Sequence, residues 1–250
     1  MVRLSLLILG CMGLSSQAYA DTIKDSFQGE TKVFLNIYGF AADINGKIGY
    51  QGINYQLDQP FKDTLEALDQ ALMGHLEVTK GRWGIYTDIQ YVKTEEEKQV
   101  YNYPIALSTT VNLSNAGIYY RAFEQFSDGT GWIIEPTLGV NYTDLEGTLD
   151  ALGKGIAVEK DWFEYFGGAR IRYNSTSSWN LAAQYTHGTE QTQIAQAYLG
   201  YRKAVFSTPV NFRVGYRYVS QDYSDGNFKW DTVQKGPVVG LGFEIGRAHV

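Results

Sequence analysis

Eight ionisable residues, Glu77, Asp88, Glu135, Arg170, Arg172, Arg202, Arg213 and Arg217, share one parity of short alternating runs, opposite the Leu, Ile, Val and Tyr side chains of the same runs. Carboxylates and guanidiniums gathered on one enclosed face form forked, charge-assisted hydrogen bonds, and a charge left unpaired there is costly. A lattice of paired charge is therefore expected. If a passage ran through it, the excess of arginine would favour anions. His75 lies two residues from Glu77 on that parity, which suggests a hydrogen-bonded pair. His187, in Thr186-His187-Gly188, is the other histidine ahead of the last residues, and general-base chemistry there would need a partner within hydrogen-bond reach. No third ligand stands at metal-binding spacing from either histidine, so neither metal nor cofactor is expected.

The elements that must position these residues are strands. Trp83, Ile85, Thr87, Ile89 and Tyr91 alternate with Gly84, Tyr86, Asp88 and Gln90. Period two with apolar side chains out and polar or small ones in is the pattern of a strand lining a transmembrane barrel. The same alternation recurs around Val33–Tyr38, Leu72–Thr79, Trp132–Tyr142, Tyr165–Tyr173, Trp179–Tyr185, Ala195–Arg202, Val210–Tyr218 and Val239–Phe243. Between Thr109 and Phe123 the parity is mixed, Val111 and Leu113 on one and Ile118 and Tyr120 on the other, and a bulge near Asn115 would reconcile them. The expected fold is all-β: a transmembrane antiparallel up-and-down β-barrel of about ten strands, with eight or twelve as the alternatives.

The connections support lipid over a soluble sandwich. Lys80-Gly81-Arg82, Ser175–Ser178 and Phe206–Thr208 are short; Ile44–Asp69, Thr94–Ser108, Asp144–Asp161 and Gln221–Lys235 are long. Short and long alternate, as periplasmic turns and extracellular loops do, except near Gly188–Gln191. Trp83, Trp132 and Trp179 each follow a short turn on the outward parity, forming a periplasmic-side aromatic row. Tyr91, Tyr142, Tyr185 and Tyr218 end outward runs and form an outer one. Phe61, Leu65 and Leu68 are spaced for a short surface helix within Pro60–Gln70, and Gly46–Leu57 could form a hairpin above the membrane.

The ends and the composition bound the rest. Met1–Ala20 reads as a signal peptide, with Arg3, an apolar stretch from Leu4 to Leu14 and the small-x-small site Ala18-Tyr19-Ala20. Lipidation of Cys11 is disfavoured by Leu9, and cleavage after Ala20 leaves residues 21–244 as a cysteine-free barrel. After Ala20 no run approaches the ~20 apolar residues of a membrane helix. A formal net charge of -6 argues against nucleic-acid binding.

Several stretches carry a resemblance: Leu65-Glu66-Ala67-Leu68 followed by Met73-Gly74-His75-Leu76-Glu77, then Lys80-Gly81-Arg82-Trp83-Gly84-Ile85-Tyr86-Thr87-Asp88, and later Gly168–Tyr173, Val214–Tyr218 and Gly236–Phe243. Together they resemble a family of Gram-negative outer-membrane barrel proteins to which no activity is assigned. The resemblance implies a fold and a location, the cell outer membrane, and no reaction. Such proteins usually end on an aromatic residue, whereas Phe243 is followed by Glu244–Val250. Ile245–Val250 reads as translated adapter sequence, so 245–250 is taken as a non-native tail.

Three functions are compatible with these residues. The first is a structural or surface-interacting barrel with a charge-filled lumen, a monomer meeting outer-membrane lipid, lipopolysaccharide and, during biogenesis, the barrel assembly machinery. The second is a narrow anion-favouring channel. The third, with least weight, is a hydrolase of lipid or protein. His187 lacks the Ser or Asn of the outer-membrane phospholipases, and the paired acids of omptins are not recognisable.

Overall fold

The computed structural model describes residues 29, 31–100, 103–151, 154–206 and 208–247. The signal peptide with Cys11, and residues 248–250 of the suspected tail, lie outside them. In chain order the elements are β1 (Thr31–Phe40), β2 (Asp43–Tyr50), β3 (Ile53–Gln59), α1 (Phe61–Glu66), β4 (Leu68–Lys80), β5 (Trp83–Val100), β6 (Tyr103–Tyr120) and β7 (Phe123–Ser127). Then follow β8 (Thr130–Ala151), β9 (Lys154–Asn174), β10 (Trp179–Gly188), β11 (Gln193–Val205), β12 (Thr208–Asp225) and β13 (Phe228–Arg247). All pairings are antiparallel, in the order β1-β4-β5-β6-β8-β9-β10-β11-β12-β13, and β13 returns to β1. Ten strands thus close into the up-and-down barrel that the alternation led one to expect.

Closure leaves the ten-strand wall without an open edge at membrane depth, which a lipid-embedded sheet requires because no water reaches its backbone. The outward parity carries Ile37, Leu72, Ile85, Leu138, Ile171, Val214 and Val239, all exposed on the barrel's exterior. Apolar side chains that face away from the fold's own interior are covered by lipid. Each tryptophan of the periplasmic row sits directly across from an outward tyrosine: Trp83 from Tyr120, Trp132 from Tyr173 and Trp179 from Tyr201, with ring centroids 4.8, 4.8 and 4.9 Å apart. The row is therefore made of cross-strand aromatic pairs.

Two wall strands break, each opposite a proline. Pro237 in β13 faces the gap between β1 and β2, both of which pair with β13. Pro136 in β8 faces the gap between β6 and β7, both of which pair with β8. A proline has no N–H for the ladder, so the neighbouring strand is released at that point. The wall is stitched by Ala41 N–H to the Pro237 carbonyl (2.9 Å) and Ala122 N–H to the Ile134 carbonyl (3.1 Å).

This corrects the expected bulge near Asn115. From Ile105 to Tyr119 the register of β6 runs on without a shift. The extra residue comes at Arg121–Ala122, between the pairs Tyr119–Thr137 and Phe123–Ile134. Even-numbered residues of β6 face out, so Asn112 and Ser114 are on the exterior and hydrogen-bonded to each other at 2.8 Å, while Val111 and Leu113 face in.

The long connections are also corrected: they are paired strands, not loops. β5 with β6, β8 with β9 and β12 with β13 continue their ladders above the outer tyrosine row, as far as the pairs Val100–Tyr103, Ala151–Lys154 and Asp225–Phe228. Beyond Tyr91 and Tyr142, nine further residues of β5 and β8 extend each wall by about 30 Å along the strand. The segment 44–69 resolves into the β2–β3 hairpin, turned at Gln51-Gly52 with φ of 50° and 84°, and α1, a surface helix that buries no residue. The β10–β11 turn stops three residues above Tyr185, so the rim is low on that side.

Candidate functional site

The inward parity builds the lumen in layers. Nearest the periplasmic turns lie Arg202, whose Nη2 donates to Asn174 Oδ1 at 3.0 Å, and a reciprocal amide pair, Asn180 with Asn211 at 3.2 and 3.3 Å. Above them, Arg121, Arg170 and Arg172 converge on Glu77 and Glu135. Arg170 Nη2 donates to Glu77 Oε2 at 2.8 Å, Arg121 Nε to Glu135 Oε1 at 3.1 Å, and Arg172 Nη2 to the same Glu135 oxygen. Tyr119 hydroxyl donates to Glu77 and its ring lies under the Arg170 guanidinium, 4.3 Å from centroid to Cζ. Glu135 is fully buried, and its carboxylate is met by Arg121, Arg170 and Arg172.

His75 joins this layer to the next. Its Nε2 is 3.5 Å from Glu77 and its Nδ1 3.4 Å from Asp88, while its ring stacks on Tyr86. Asp88 in turn holds Arg217 at 3.1 Å and accepts from the Tyr38 hydroxyl at 2.8 Å. Seven of the eight residues predicted as a charge network are thus hydrogen-bonded to other lumen side chains. Arg213 is the exception: it faces the lumen and makes no hydrogen bond or ion pair among the described residues. The sequence reading missed Arg121, Tyr38, Tyr86 and Tyr119. Arg121 sits at the bulge, where parity slips, and alternation that places a tyrosine on the inner face does not show which side chain its hydroxyl will meet.

Above Arg217 the lumen changes character. Phe40, Ala42, Leu113, Ile194, Val219 and Val238 form a buried apolar cluster inside the barrel. Higher still, Leu145, Trp162, Phe228 and Trp230 form a second cluster between the extended hairpins. The expected charge network occupies the periplasmic half; the outer half packs these apolar groups together with buried uncharged polar ones, Gln90 bonded to Gln234 at 3.1 Å and Gln221 to Thr143 at 2.9 Å. Cavity volumes fall in the same direction, from ≈ 170 Å³ around Arg172, Arg202 and Arg213, through ≈ 100 Å³ beside His75 and Arg170, to ≈ 10 Å³ beside Asp88 and Arg217. The last has room for about one water at most.

At the outer rim the β10–β11 turn is held by Glu164, whose Oε2 accepts the backbone N–H of Glu190 at 3.0 Å and of Thr192 at 3.4 Å. Trp162 stacks on Tyr223 at 4.1 Å with planes 1° apart, joining the β8–β9 and β12–β13 hairpins above this low turn. His187 stands exposed on the outward face of β10, with no hydrogen bond or ion pair among the described residues. Trp83, Trp132, Trp179 and, in the outer row, Tyr185 are exposed on the exterior, while Tyr91, Tyr142 and Tyr218 are partly covered there, Tyr142 by the Phe163 ring at 4.5 Å.

No family model and no curated protein matches the chain. Among solved structures it is similar to Ail, the attachment invasion locus protein of Yersinia pestis, in complex with the heparin analogue sucrose octasulfate. The identity is 13% over 87% of this chain and 99% of that one, with a TM-score of 0.39. It is also similar to Neisserial surface protein A, at 12% identity over 85% of this chain and 97% of that one with a TM-score of 0.29. A third is the translocator domain of the autotransporter NalP from Neisseria meningitidis, at 10% identity over 91% and 94% with a TM-score of 0.30. The likeness is one of fold alone. This chain's own closed sheet, apolar outside and banded by aromatics, is a structure built for lipid. It is an outer-membrane β-barrel.

Proposed function

We propose that this protein is a sealed barrel with a structural or surface-interacting role, and that its working parts are the hairpins above the outer tyrosine row. The observation that carries this reading is the apolar cluster of Phe40, Leu113, Ile194, Val219 and Val238 lying across the lumen above the charged layers. An ion following the arginines from the periplasm would have to leave their hydrogen bonds and enter a close-packed layer of apolar and already paired uncharged polar side chains, which is costly for a charged species. The hairpins, by contrast, project paired and rigid strands well above the bilayer and end at different heights. Their acidic residues Glu95, Glu96, Asp222 and Asp231 set the sign of that surface. Lipid and lipopolysaccharide around a monomer, and the assembly machinery during insertion, are the partners this reading requires.

The test is planar-bilayer recording of the refolded full chain. A sealed barrel gives no steady single-channel current. A steady anion-selective current that disappears on Arg217→Gln would replace this reading with that of a narrow channel. Hydrolysis of lipid or peptide abolished by His187→Ala would replace it with an enzyme.

A further inference from the structure

Arg213 is the one lumen arginine whose surroundings do not explain it. Its cross-strand partners are Gly200 on β11 and Gly240 on β13, so the two positions directly beside it on the inner face carry no side chain. A third glycine, Gly242, is held to that size by its neighbours: a Cβ there would lie 2.6 Å from Asn36 Oδ1 and 3.6 Å from Arg213 Cζ. At Gly200 a Cβ would meet Asn180 Oδ1 at 2.4 Å and Asn211 Oδ1 at 2.7 Å. Glycines therefore make the floor of a recess, and asparagine amides make its sides.

The recess opens into the ≈ 170 Å³ cavity, which Arg121, Arg172, Arg202 and Arg213 line against only two carboxylates, Glu77 and Glu244. Both carboxylates are engaged, Glu77 by Arg170 and Arg172 and Glu244 by Lys32 at 3.9 Å, and Glu135, outside the lining, is held by Arg121 and Arg172, which leaves Arg213 without a carboxylate of its own. Arg172 keeps a buried Nε with no protein partner beside the same cavity. A cationic surplus, a second donor without an acceptor and a space with polar walls occur at one place. Such a set is complementary to a small oxyanion, which can take forked hydrogen bonds from two guanidiniums at once.

We propose that the cavity in the periplasmic half of the lumen binds a small oxyanion of the phosphate or sulfate type, with Arg213 as its principal donor, Arg172 as the second, and Asn211 and Arg202 at the mouth. Asn174, Arg202 and Pro209, which line the cavity, sit at the strand ends next to the periplasmic turns, so the ion enters from the periplasm. The charged lattice and the apolar cluster above stop it from passing through, so this is a binding site and not a pathway.

The experiment is calorimetric titration of the refolded full chain in detergent with inorganic phosphate, against chloride at the same ionic strength. One saturable phosphate site per chain is expected. Arg213→Gln weakens it at least tenfold, about 1.4 kcal/mol. Arg213→Lys, which keeps the charge without the fork, gives an intermediate affinity and keeps the proposal testable if the glutamine variant does not refold. Arg82→Gln, at the exposed β4–β5 turn, leaves the affinity unchanged. Phosphate binding no stronger than chloride, or equal affinity in Arg213→Gln, or binding only to vesicles of anionic lipid and not to free phosphate, would overturn the proposal.

Discussion

Arg217 on β12 and Asp88 on β5 meet across the lumen at 3.1 Å, with Arg217 2% exposed and Tyr38 bonded to both. The pair is the uppermost charge contact before the apolar cluster begins. Asp88→Asn leaves a buried guanidinium without its counter-charge, and the expected loss is about 3–5 kcal/mol in urea unfolding followed by tryptophan fluorescence. The double variant Asp88→Leu with Arg217→Met recovers most of it, because two apolar groups replace a pair that was expensive to desolvate. A single variant no less stable than wild type would show that the contact does not hold in the folded barrel.

Leu113 faces the lumen and Ser114 the exterior. Cysteines placed singly at these positions separate the unshifted register of β6 from a bulge at Asn115. A membrane-soluble maleimide should label Ser114→Cys in lipid vesicles and spare Leu113→Cys. The reverse pattern would restore the bulge.

Much of the fold was legible because a strand in lipid inverts the usual rule: outward side chains are apolar, and the lumen shows as the polar parity. That rule fails where the interior is apolar too. Val219, Val238 and Leu113 are inward hydrocarbons next to outward Tyr218, Val239 and Ser114, so near the outer row parity no longer separates the faces. The charged site was legible because Arg170 and Arg172, or Arg213 and Arg217, share a parity within one strand. Which carboxylate each would meet was not, because Glu77, Glu135 and Asp88 come from separate strands whose register only the closed barrel sets. The paired hairpins are not legible in this way, because above the bilayer water replaces lipid and segments such as 94–98 and 158–161 carry charged residues on both parities.

Gly188 has no room for a side chain: a Cβ would fall 2.1 Å from Glu164 Oε2, the oxygen that receives two amides of the β10–β11 turn. Gly188→Ala therefore displaces the carboxylate and is expected to cost about 1–3 kcal/mol. Hydrogen exchange should accelerate at Glu190 and Thr192 and stay unchanged at the periplasmic turns. In a Glu164→Ala background the same change should have little further effect, and an undiminished effect there would mean that the clash is not with Glu164.

Trp162 and Tyr223, with Lys160 and Asp225 paired at 2.8 Å, tie the two hairpins that flank the low β10–β11 turn. Trp162→Ala removes a buried aromatic from the upper cluster, a change of about 3–5 kcal/mol where the surroundings cannot collapse. The expected outcome is local: faster hydrogen exchange in β8 and β9 above Tyr142, with the barrel below it protected as before. Uniform loss of protection would mean that the hairpins and the barrel open as one unit.

The breaks opposite proline leave β13 pairing with β1 over eight register positions and with β2 over eight more. These strands come from opposite ends of the described chain, so the seam is the contact of greatest sequence separation and the last that folding can afford to form. Because it runs from the periplasmic turns into the β2–β3 hairpin, half of its clasp lies outside the bilayer. Closure is then completed in water as well as in lipid, and a finished barrel has to unzip both halves before its first and last strands can part.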